Sequence, residues 1–328
     1  MTSGSAAIRT IPVLLAALLC LLLLASCGSE NTEPHIAEPK KQIALVLKTD
    51  NSDYWKTVRT GAEAAAKEFG VELSVGAPKQ EEDVQGQIQL VNEAVNYKRD
   101  ALVLAANDDQ ALAEAAGQAA ERGMPVIAID TEIDSPRVRS FIGIDNFEAG
   151  RKAGLKMASL VGNRGRIAVI GFKPSVRTTE QRERGVLDEL AKHSQMKVVE
   201  QVECTSDPAP CARQIRRLLQ EPVDGIVALH AVSSIEVVRA IGELGLEGKV
   251  KAVTFDSTAE NIESLQEGVI QATIIQNPFS MGYLGVKYAV EALEGKKVPA
   301  RFDTGTKVID QDNMFWSDNQ KLLFPFVK

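Results

Sequence analysis

Aromatic residues, cysteines and clustered positive charge are all scarce in this chain. Phe, Trp and Tyr make up 5% of its 328 residues, and 37 Lys and Arg face 44 Asp and Glu, which gives a formal net charge of −7. Nucleic-acid binding needs clustered cations that neutralise phosphates, and often aromatic rings that stack on bases. The composition therefore argues against a nucleic-acid partner.

Common catalytic motifs are also missing. The sequence contains no Gly-x-x-x-x-Gly-Lys-Ser/Thr, no Gly-x-Ser-x-Gly and no His-Glu-x-x-His. The three histidines are far apart in the chain, at His35, His193 and His230. A zinc site needs four clustered ligands, so we expect neither a metal nor another cofactor. These absences favour a binding protein over an enzyme.

The longest apolar run lies near the N-terminus, where residues 11–24 read IPVLLAALLCLLLL. As a helix this run would span about 21 Å, short of the ~30 Å hydrocarbon core of a membrane. A secretory signal fits that length better than a spanning helix, and Arg9 supplies a positive charge before it. The run ends in Leu24-Ala25-Ser26-Cys27, which resembles the bacterial lipobox. We expect a lipoprotein signal peptide over 1–26 and a lipid on Cys27, with an ordinary signal peptide or a retained anchor as alternatives.

The segment after this signal is polar and contains proline. Residues 27–41 are therefore expected to form a flexible tether. Downstream, the only cysteines are Cys204 and Cys211. Outside the cytoplasm such a pair persists as a disulfide, and its spacing differs from the Cys-x-x-Cys of redox motifs. We expect a Cys204–Cys211 disulfide.

From residue 42 onward, short apolar runs alternate with segments of helical periodicity. The predicted strands are 43–47, 71–75, 101–105, 126–130, 140–144, 167–171, 198–202, 225–229, 252–255 and 272–276. The predicted helices are 55–69, 84–95, 111–121, 181–192, 209–220, 233–242, 259–266 and 280–294. The acidic run 81–83 is interpreted as a solvated helix start. This α/β alternation predicts two similar, doubly wound lobes with parallel sheets, because the predicted strands are more numerous than those of a usual single sheet.

Polar residues collect where the predicted strands end, which is where ligands bind to open parallel sheets. The segment 48–55 follows the first strand, and Asp130, His230 and Asp256 follow three others. Carboxylates accept hydrogen bonds from hydroxyls, and aromatic rings cover the C–H face of a sugar. A polar cleft between two lobes, suited to carbohydrate, is expected. The carboxylates could instead form a glycosidase pair, but their positions favour ligand capture.

Six segments, in this order and spacing, resemble the type I periplasmic-binding-protein family, in particular the ribose-type sugar-binding proteins of ABC importers. They are IALVLKTDNSDYWKTVRTGAEAAAKEFG, PVIAIDTE, FIGIDNFEAGRKAG, TTEQRERG, AVTFDST and ATIIQNPFSMGYLGVKYAVEAL. The resemblance implies two lobes that close over one sugar and three crossings between them, near 143–145, 276–278 and 308–310. The lobes would then be 42–144 plus 277–308, and 145–276 plus 309–328.

The resemblance also implies a set of ligand-binding residues. By motif position these are Asn51, Ser52, Tyr54, Trp55, Asp130, Arg182, His230, Asp256 and Gln276. Tyr54 and Trp55 stand where the family stacks rings on the sugar, and Asp130 stands at the carboxylate that takes ring hydroxyls. Thr131 stands where ribose binders have Arg, and His230 where they have Asn. The expected ligand is therefore a sugar or related polyol other than ribose.

These residues also have structural alternatives. Trp55 could belong to the core alone, and Asp130 and Asp256 could cap helices. Arg182 could form a surface salt bridge with a neighbouring glutamate, and His230 could merely pack near the hinge. The resemblance implies a monomeric, extracytoplasmic, lipid-anchored protein that delivers its ligand to an ABC permease. The alternative is a module that presents a ligand to a membrane sensor such as a histidine kinase.

Overall fold

The alternating apolar runs of the sequence fold into two six-stranded sheets. The structure, a computed structural model, describes residues 39–172 and 177–324. The expected signal peptide 1–26, Cys27 and most of the expected tether lie outside the described residues. No helix in the described part of the chain is long and apolar enough to cross a membrane.

The strands are β1 (Gln42–Val46), β2 (Glu72–Gly76), β3 (Ala101–Leu104), β4 (Val126–Ile129), β5 (Ser140–Gly143), β6 (Arg164–Phe172), β7 (Gln195–Cys204), β8 (Gly225–Ala228), β9 (Lys251–Phe255), β10 (Ala272–Ile275), β11 (Arg301–Asp303) and β12 (Lys307–Ile309). The helices are α1 (Asp53–Glu68), α2 (Val84–Asn96), α3 (Ala111–Glu121), α4 (Asn146–Leu160), α5 (Arg177–Leu190), α6 (Pro208–Leu218), α7 (Ala231–Glu243), α8 (Ala259–Glu267), α9 (Pro278–Leu293) and α10 (Ser317–Leu323).

The two sheets repeat one topology. The first has the strand order β11-β5-β4-β3-β1-β2 and is parallel throughout. The second has the order β12-β10-β9-β8-β6-β7 and is parallel except for the edge strand β12. The strand order reverses direction at β1/β3 in one sheet and at β6/β8 in the other. These are the switch points where doubly wound sheets bind ligands, so the expected fold of two doubly wound lobes is confirmed.

Both faces of each sheet are covered by helices, which explains the continuous apolar runs. Every residue of β3, β4 and β5 is buried. Helices α1 and α9 cover one face of the first sheet, and α2 and α3 cover the other. Helices α4 and α5 cover one face of the second sheet, and α6, α7 and α8 cover the other. Strands buried on both faces need apolar side chains at every position.

Glycines allow two helix pairs to pack backbone to backbone. A Cβ atom on Gly282 of α9 would lie 1.8 Å from the carbonyl oxygen of Val58 in α1. In the other lobe, a Cβ atom on Gly150 of α4 would lie 2.0 Å from the carbonyl oxygen of Arg182 in α5. Only glycine fits at such distances. The close contacts fix α1 and α5, which carry predicted site residues, against the helices that follow two of the crossings.

The chain crosses between the sheets three times, after β5, after β10 and between β11 and β12. The third crossing differs from the prediction, which assigned 277–308 to the first lobe. Val308 pairs with Ile274 across an antiparallel ladder, so β12 belongs to the second sheet. The crossing therefore falls at 304–306. Strands β11 and β12 have three residues each, too few to show a periodicity in the sequence.

The second lobe contains the expected disulfide. Cys204 is the last residue of β7, and Cys211 lies in the second turn of α6. Both residues are almost completely buried. The bond closes the short loop between this edge strand and the helix that covers it.

Candidate functional site

A cavity of about 230 Å³ lies between the lobes at the carboxyl ends of the strands. All of the predicted ligand-binding residues line it: Asn51, Ser52, Tyr54, Trp55, Asp130, Arg182, His230, Asp256 and Gln276. A larger cavity of about 620 Å³ shares the wall formed by Tyr54, Asp256 and Gln276. That cavity lacks Asp130, Arg182 and His230, so we place the candidate site in the smaller one, called the cleft below.

Asp130 is the most heavily bonded carboxylate of the cleft. Its Oδ1 lies 2.8 Å from Lys48 Nζ, and its Oδ2 accepts a hydrogen bond of 2.9 Å from the Tyr54 hydroxyl. Burial raises the pKa of Asp130, but Lys48, Arg182 and the Tyr54 hydroxyl outweigh this effect and hold the pKa below its ordinary value. Asp130 is therefore ionised at neutral pH and presents a fixed acceptor.

Asp256 occupies the matching position in the second lobe. Both aspartates follow a strand with a left-handed backbone, at φ +62° for Asp130 and +69° for Asp256. The backbone N–H of each donates to the adjacent strand, to Ile142 and Ile274, at 2.9 Å in both cases. Gln276 Nε2 donates to Asp256 Oδ1 at 2.9 Å. Strained backbone of this kind clusters at functional sites.

The alternative that these aspartates cap helices is excluded. The N-cap of α8, the helix that follows Asp256, is Thr258. The helix that follows Asp130 in the sequence is α4, and its N-cap is Asp145. Both aspartates are instead buried in the wall of the cleft.

Arg182 is held rigidly in the cleft wall and is 4% exposed. Its Nε donates to Asn146 Oδ1 at 2.8 Å, and its Nη1 donates to the Leu229 carbonyl at 2.9 Å. The guanidinium carbon lies 4.6 Å from the centre of the Phe255 ring. The alternative of a surface salt bridge is therefore excluded, because the side chain points inward from α5.

Tyr54 and Trp55 open α1 and make an edge-to-face contact, with ring centres 5.0 Å apart. Trp55 is 4% exposed and belongs to the core, and it also lines the cleft. Its Nε1–H donates to Glu81 Oε1 at 3.3 Å. Tyr54 is half-buried, and burial next to Asp130 and Asp256 raises the pKa of its hydroxyl well above the ordinary value. The Tyr54 hydroxyl remains a proton donor.

Ser52 and Asn51 shape the loop that leads into α1. Ser52 is the N-cap of this helix, and its Oγ accepts from the Trp55 backbone N–H at 3.3 Å. Asn51 Nδ2 donates to the Lys79 carbonyl at 2.9 Å. Both residues line the cleft, but the bonds observed here are structural ones that position the two aromatic residues.

His230 is the N-cap of α7 and lies at the boundary of the lobes. Its Nδ1 accepts from the Val232 backbone N–H at 3.3 Å. The imidazole stacks on Phe172, with ring centres 3.8 Å apart. Burial lowers the pKa of His230 to about 4. The ring is therefore neutral at physiological pH.

Sequence reasoning missed three charged residues of the cleft, Lys48, Lys79 and Glu81. Lys48 follows β1 after Leu47 and begins the segment 48–55, which supplied four predicted residues, so its position in the sequence indicated a place in the cleft. The interpretation of the run 81–83 as a solvated helix start was wrong for Glu81, which is 6% exposed and lines the cleft. Only Asp83 caps the helix, by accepting from the Gly86 backbone N–H at 2.8 Å. Burial raises the pKa of Glu81.

The cleft thus combines carboxylates and cations from both lobes with the two aromatic residues of α1. Three carboxyl groups supply acceptors, Lys48, Lys79 and Arg182 supply positive charge, and Tyr54 supplies a hydroxyl. Among the residues that the structure describes, no group of three or more His, Cys, Asp or Glu side chains could hold a metal ion. Fixed acceptors and donors around a small cavity are the arrangement that recognises a polar, hydroxyl-bearing molecule.

Two doubly wound lobes with a polar cleft at their strand ends define a two-lobed ligand-binding protein. Residues 43–297 match the model of the periplasmic binding protein domain family, and the chain belongs to that family. This is a family of binding proteins, in agreement with the expectation of a protein without catalytic activity. The resemblance seen in the sequence is thereby confirmed.

Three known proteins illustrate the similarity. The D-allose-binding periplasmic protein of Escherichia coli K12 is 27% identical over 82% of this chain and 90% of its own length. A carbohydrate transporter solute-binding protein from Agrobacterium radiobacter, solved with D-arabinose, is 30% identical with a TM-score of 0.84 and covers 88% of this chain and 100% of its own. An ABC transporter solute-binding protein from Agrobacterium vitis, solved with D-fucose, is 30% identical with a TM-score of 0.83. The match covers 86% of this chain and 99% of that protein.

Proposed function

We propose that this protein is an extracytoplasmic solute-binding protein that captures one neutral sugar in the cleft and delivers it to an ABC importer. The observation that carries the proposal is the pairing of Asp130 and Asp256. They stand at matching strand ends of the two lobes and line the same small cavity. A ligand bonded to both carboxylates holds the lobes together.

The chemistry of the cleft suits a sugar. The carboxyl groups of Asp130 and Asp256 accept hydrogen bonds from hydroxyls, and the Arg182 guanidinium supplies hydrogen-bond donors. The rings of Tyr54 and Trp55 supply apolar surface for the C–H groups of a sugar ring. A cavity of about 230 Å³ is smaller than the ~300–1,000 Å³ typical of drug-sized ligands, and it fits a molecule with a single ring.

Closure of the lobes is part of this proposal. The Ser206 backbone N–H of the second lobe donates to Glu82 Oε1 of the first at 2.6 Å. Arg177 and Asp109 approach to 3.6 Å, again from different lobes. The lobes therefore touch beside the cleft. We infer that the crossings at 143–145, 276–278 and 304–306 act as the hinge.

The named ligands of the similar proteins narrow the class. D-allose, D-arabinose and D-fucose appear in their names. All are neutral sugars with several hydroxyls, which agrees with the donors and acceptors of the cleft. We infer a neutral pentose or hexose as the ligand of this protein.

The membrane attachment is a separate part of the proposal. The sequence Leu24-Ala25-Ser26-Cys27 supports a lipid on Cys27, with 27–41 as tether. Metabolic labelling with an alkyne fatty acid tests this directly. Label is expected on the wild-type protein and is expected to disappear in Cys27→Ser, whereas label retained in that variant would contradict the anchor.

Isothermal titration against D-allose, D-arabinose, D-fucose and D-ribose tests the function. Binding of at least one sugar is expected, followed by its recovery unchanged. Asp256→Ala is expected to weaken this binding about 10- to 100-fold, because a hydrogen bond to a carboxylate contributes roughly 1.5–3 kcal/mol. Arg184→Ala is the matched control, since Arg184 is exposed on α5 and does not line the cleft. Turnover of the sugar, or binding unaffected by Asp256→Ala, would overturn the proposal.

A further inference from the structure

Glu81 and His230 face each other across the cleft from different lobes. Glu81 lies between β2 and α2 of the first lobe, and His230 lies between β8 and α7 of the second. Glu81 Oε2 and His230 Nε2 are 3.8 Å apart, and both side chains line the cavity. Hydrogen bonds between such atoms measure about 2.7–3.2 Å, so the two groups are near each other without bonding directly.

The surroundings of His230 fix the position of its proton. Nδ1 accepts from the Val232 backbone N–H at 3.3 Å, so Nδ1 carries no hydrogen. The ring is neutral at physiological pH, since burial lowers its pKa to about 4. The single ring proton of a neutral imidazole then resides on Nε2. His230 therefore presents an N–H donor toward Glu81, and stacking on Phe172 holds the ring in that orientation.

The surroundings of Glu81 fix its carboxylate in the same way. Oε1 accepts from Trp55 Nε1 at 3.3 Å, which leaves Oε2 directed toward His230. The pair thus consists of one acceptor and one donor that lie 3.8 Å apart in the wall of the cleft. A hydroxyl oxygen placed beside the pair, about 2.8 Å from each atom, can donate to Glu81 Oε2 and accept from His230 Nε2–H.

We propose that Glu81 and His230 form a hydroxyl-recognition subsite, in which one ligand hydroxyl donates to Glu81 Oε2 and accepts from His230 Nε2–H. The inference rests on the proposed function, adds Glu81, which sequence reasoning assigned to solvent, as a ligand-binding residue, and gives the predicted residue His230 a defined bonding partner. Because the partners belong to different lobes, the bridging hydroxyl also links binding to closure.

The test compares single-hydroxyl deletions of the ligand in matched variants. Isothermal titration would use the aldose that binds wild type most tightly among D-allose, D-arabinose, D-fucose and D-ribose, together with its monodeoxy analogues. Glu81→Gln is the informative variant. Trp55 Nε1–H requires the amide oxygen on its side, so the amide NH₂ faces the subsite and replaces the acceptor by a donor. Glu72→Gln is the control, because Glu72 is exposed at the start of β2 in the same lobe and does not line the cleft.

One analogue is expected to bind wild type and Glu72→Gln about 10- to 100-fold more weakly than the parent sugar. In Glu81→Gln, removal of the same hydroxyl from the sugar is expected to change the affinity less than about threefold. The affinity of His230→Gln is expected to be insensitive to the loss of that same hydroxyl. If Glu81 only positions Trp55, Glu81→Gln will weaken the binding of the parent sugar and of every analogue by the same factor. That result would overturn the inference and leave the proposed function intact. If wild type binds none of the sugars, the proposed function fails and the inference falls with it.

Discussion

Lys48 Nζ lies 2.8 Å from Asp130 Oδ1, and both side chains are buried in the wall of the cleft, at 5% and 7% exposure. Lys48 follows β1 and Asp130 follows β4, two strands that are separated by β3 in the sheet. The ion pair therefore ties together two strand ends across the point where the sheet reverses its order. It also keeps the Asp130 carboxyl group ionised although this group is buried.

Removal of Lys48 is expected to destabilise the protein strongly. Lys48→Met leaves Asp130 buried with its main counter-charge lost, which typically costs about 3–5 kcal/mol. Lys56→Met is the matched control, because Lys56 and Asp53 form an exposed pair at nearly the same distance, 2.9 Å. Exposed pairs contribute about 0–1 kcal/mol. Urea denaturation of both variants measures the difference, and equal losses would contradict the role given to the buried pair.

His230 is expected to make the fold less stable in acid. Its pKa is about 4 in the folded protein and about 6.5 when unfolded. Between these values the unfolded chain binds the extra proton, so the free energy of unfolding falls as the pH is lowered from about 6.5 to 4. It levels off below 4, where both states are protonated. The loss is about 1.4 kcal/mol per pH unit and roughly 3 kcal/mol in total.

Denaturation curves at pH 7 and pH 4.5 check this dependence. His230→Asn removes the titrating group, so its free energy of unfolding is expected to change less between the two pH values than that of wild type. Asp130 acts in a lower pH range, because its pKa lies below the ordinary value and its contribution is lost only as the pH falls further. Identical pH profiles for wild type and His230→Asn would contradict the assignment.

The strands and the aspartates of the cleft were predictable because local sequence encodes them. A parallel strand buried on both faces is a continuous apolar run, and the run 101–105 matches β3 within one residue. Asp130 and Asp256 stand directly after such runs, where parallel sheets bind ligands. The resemblance to a known family then placed Arg182 and Gln276 as well.

Glu81 could not be found in this way, because its surroundings are tertiary. In the sequence it opens an acidic run of the kind that lies in solvent. In the structure the Trp55 indole and the His230 ring, from two lobes, enclose it. The edge strands β11 and β12 were missed for a different reason. Each has three residues, so neither a run nor an alternation is visible.

The disulfide is expected to stabilise the second lobe. Replacing both Cys204 and Cys211 by alanine removes the constraint that the bond places on the unfolded chain. For a loop this short the loss is about 2.5 kcal/mol. Guanidinium denaturation of wild type with and without dithiothreitol gives the same quantity independently. The reductant is expected to lower the stability of wild type toward that of the double variant, and to leave the variant itself unchanged.

Gly282 and Gly61 are expected to tolerate no side chain. A Cβ atom on Gly282 would lie 1.8 Å from the Val58 carbonyl oxygen, and one on Gly61 would lie 2.0 Å from that of Phe279. These contacts are with backbone, so no side chain can move aside and α1 and α9 must separate. Gly282→Ala is expected to destabilise the protein by about 1–3 kcal/mol or more, as overpacking does.

Gly117 offers the matched control for this test. It is also a buried glycine inside a helix, but a Cβ atom there would meet only Ser135 Oγ, at 3.9 Å. Gly117→Ala therefore gains helix propensity without a clash and is expected to stabilise the protein by about 0.5–1 kcal/mol. Thermal and urea denaturation of the two alanine variants thus give opposite signs. A Gly282→Ala protein as stable as wild type would show that α1 and α9 are not locked together, and that the start of α1, with Tyr54 and Trp55, is free to shift.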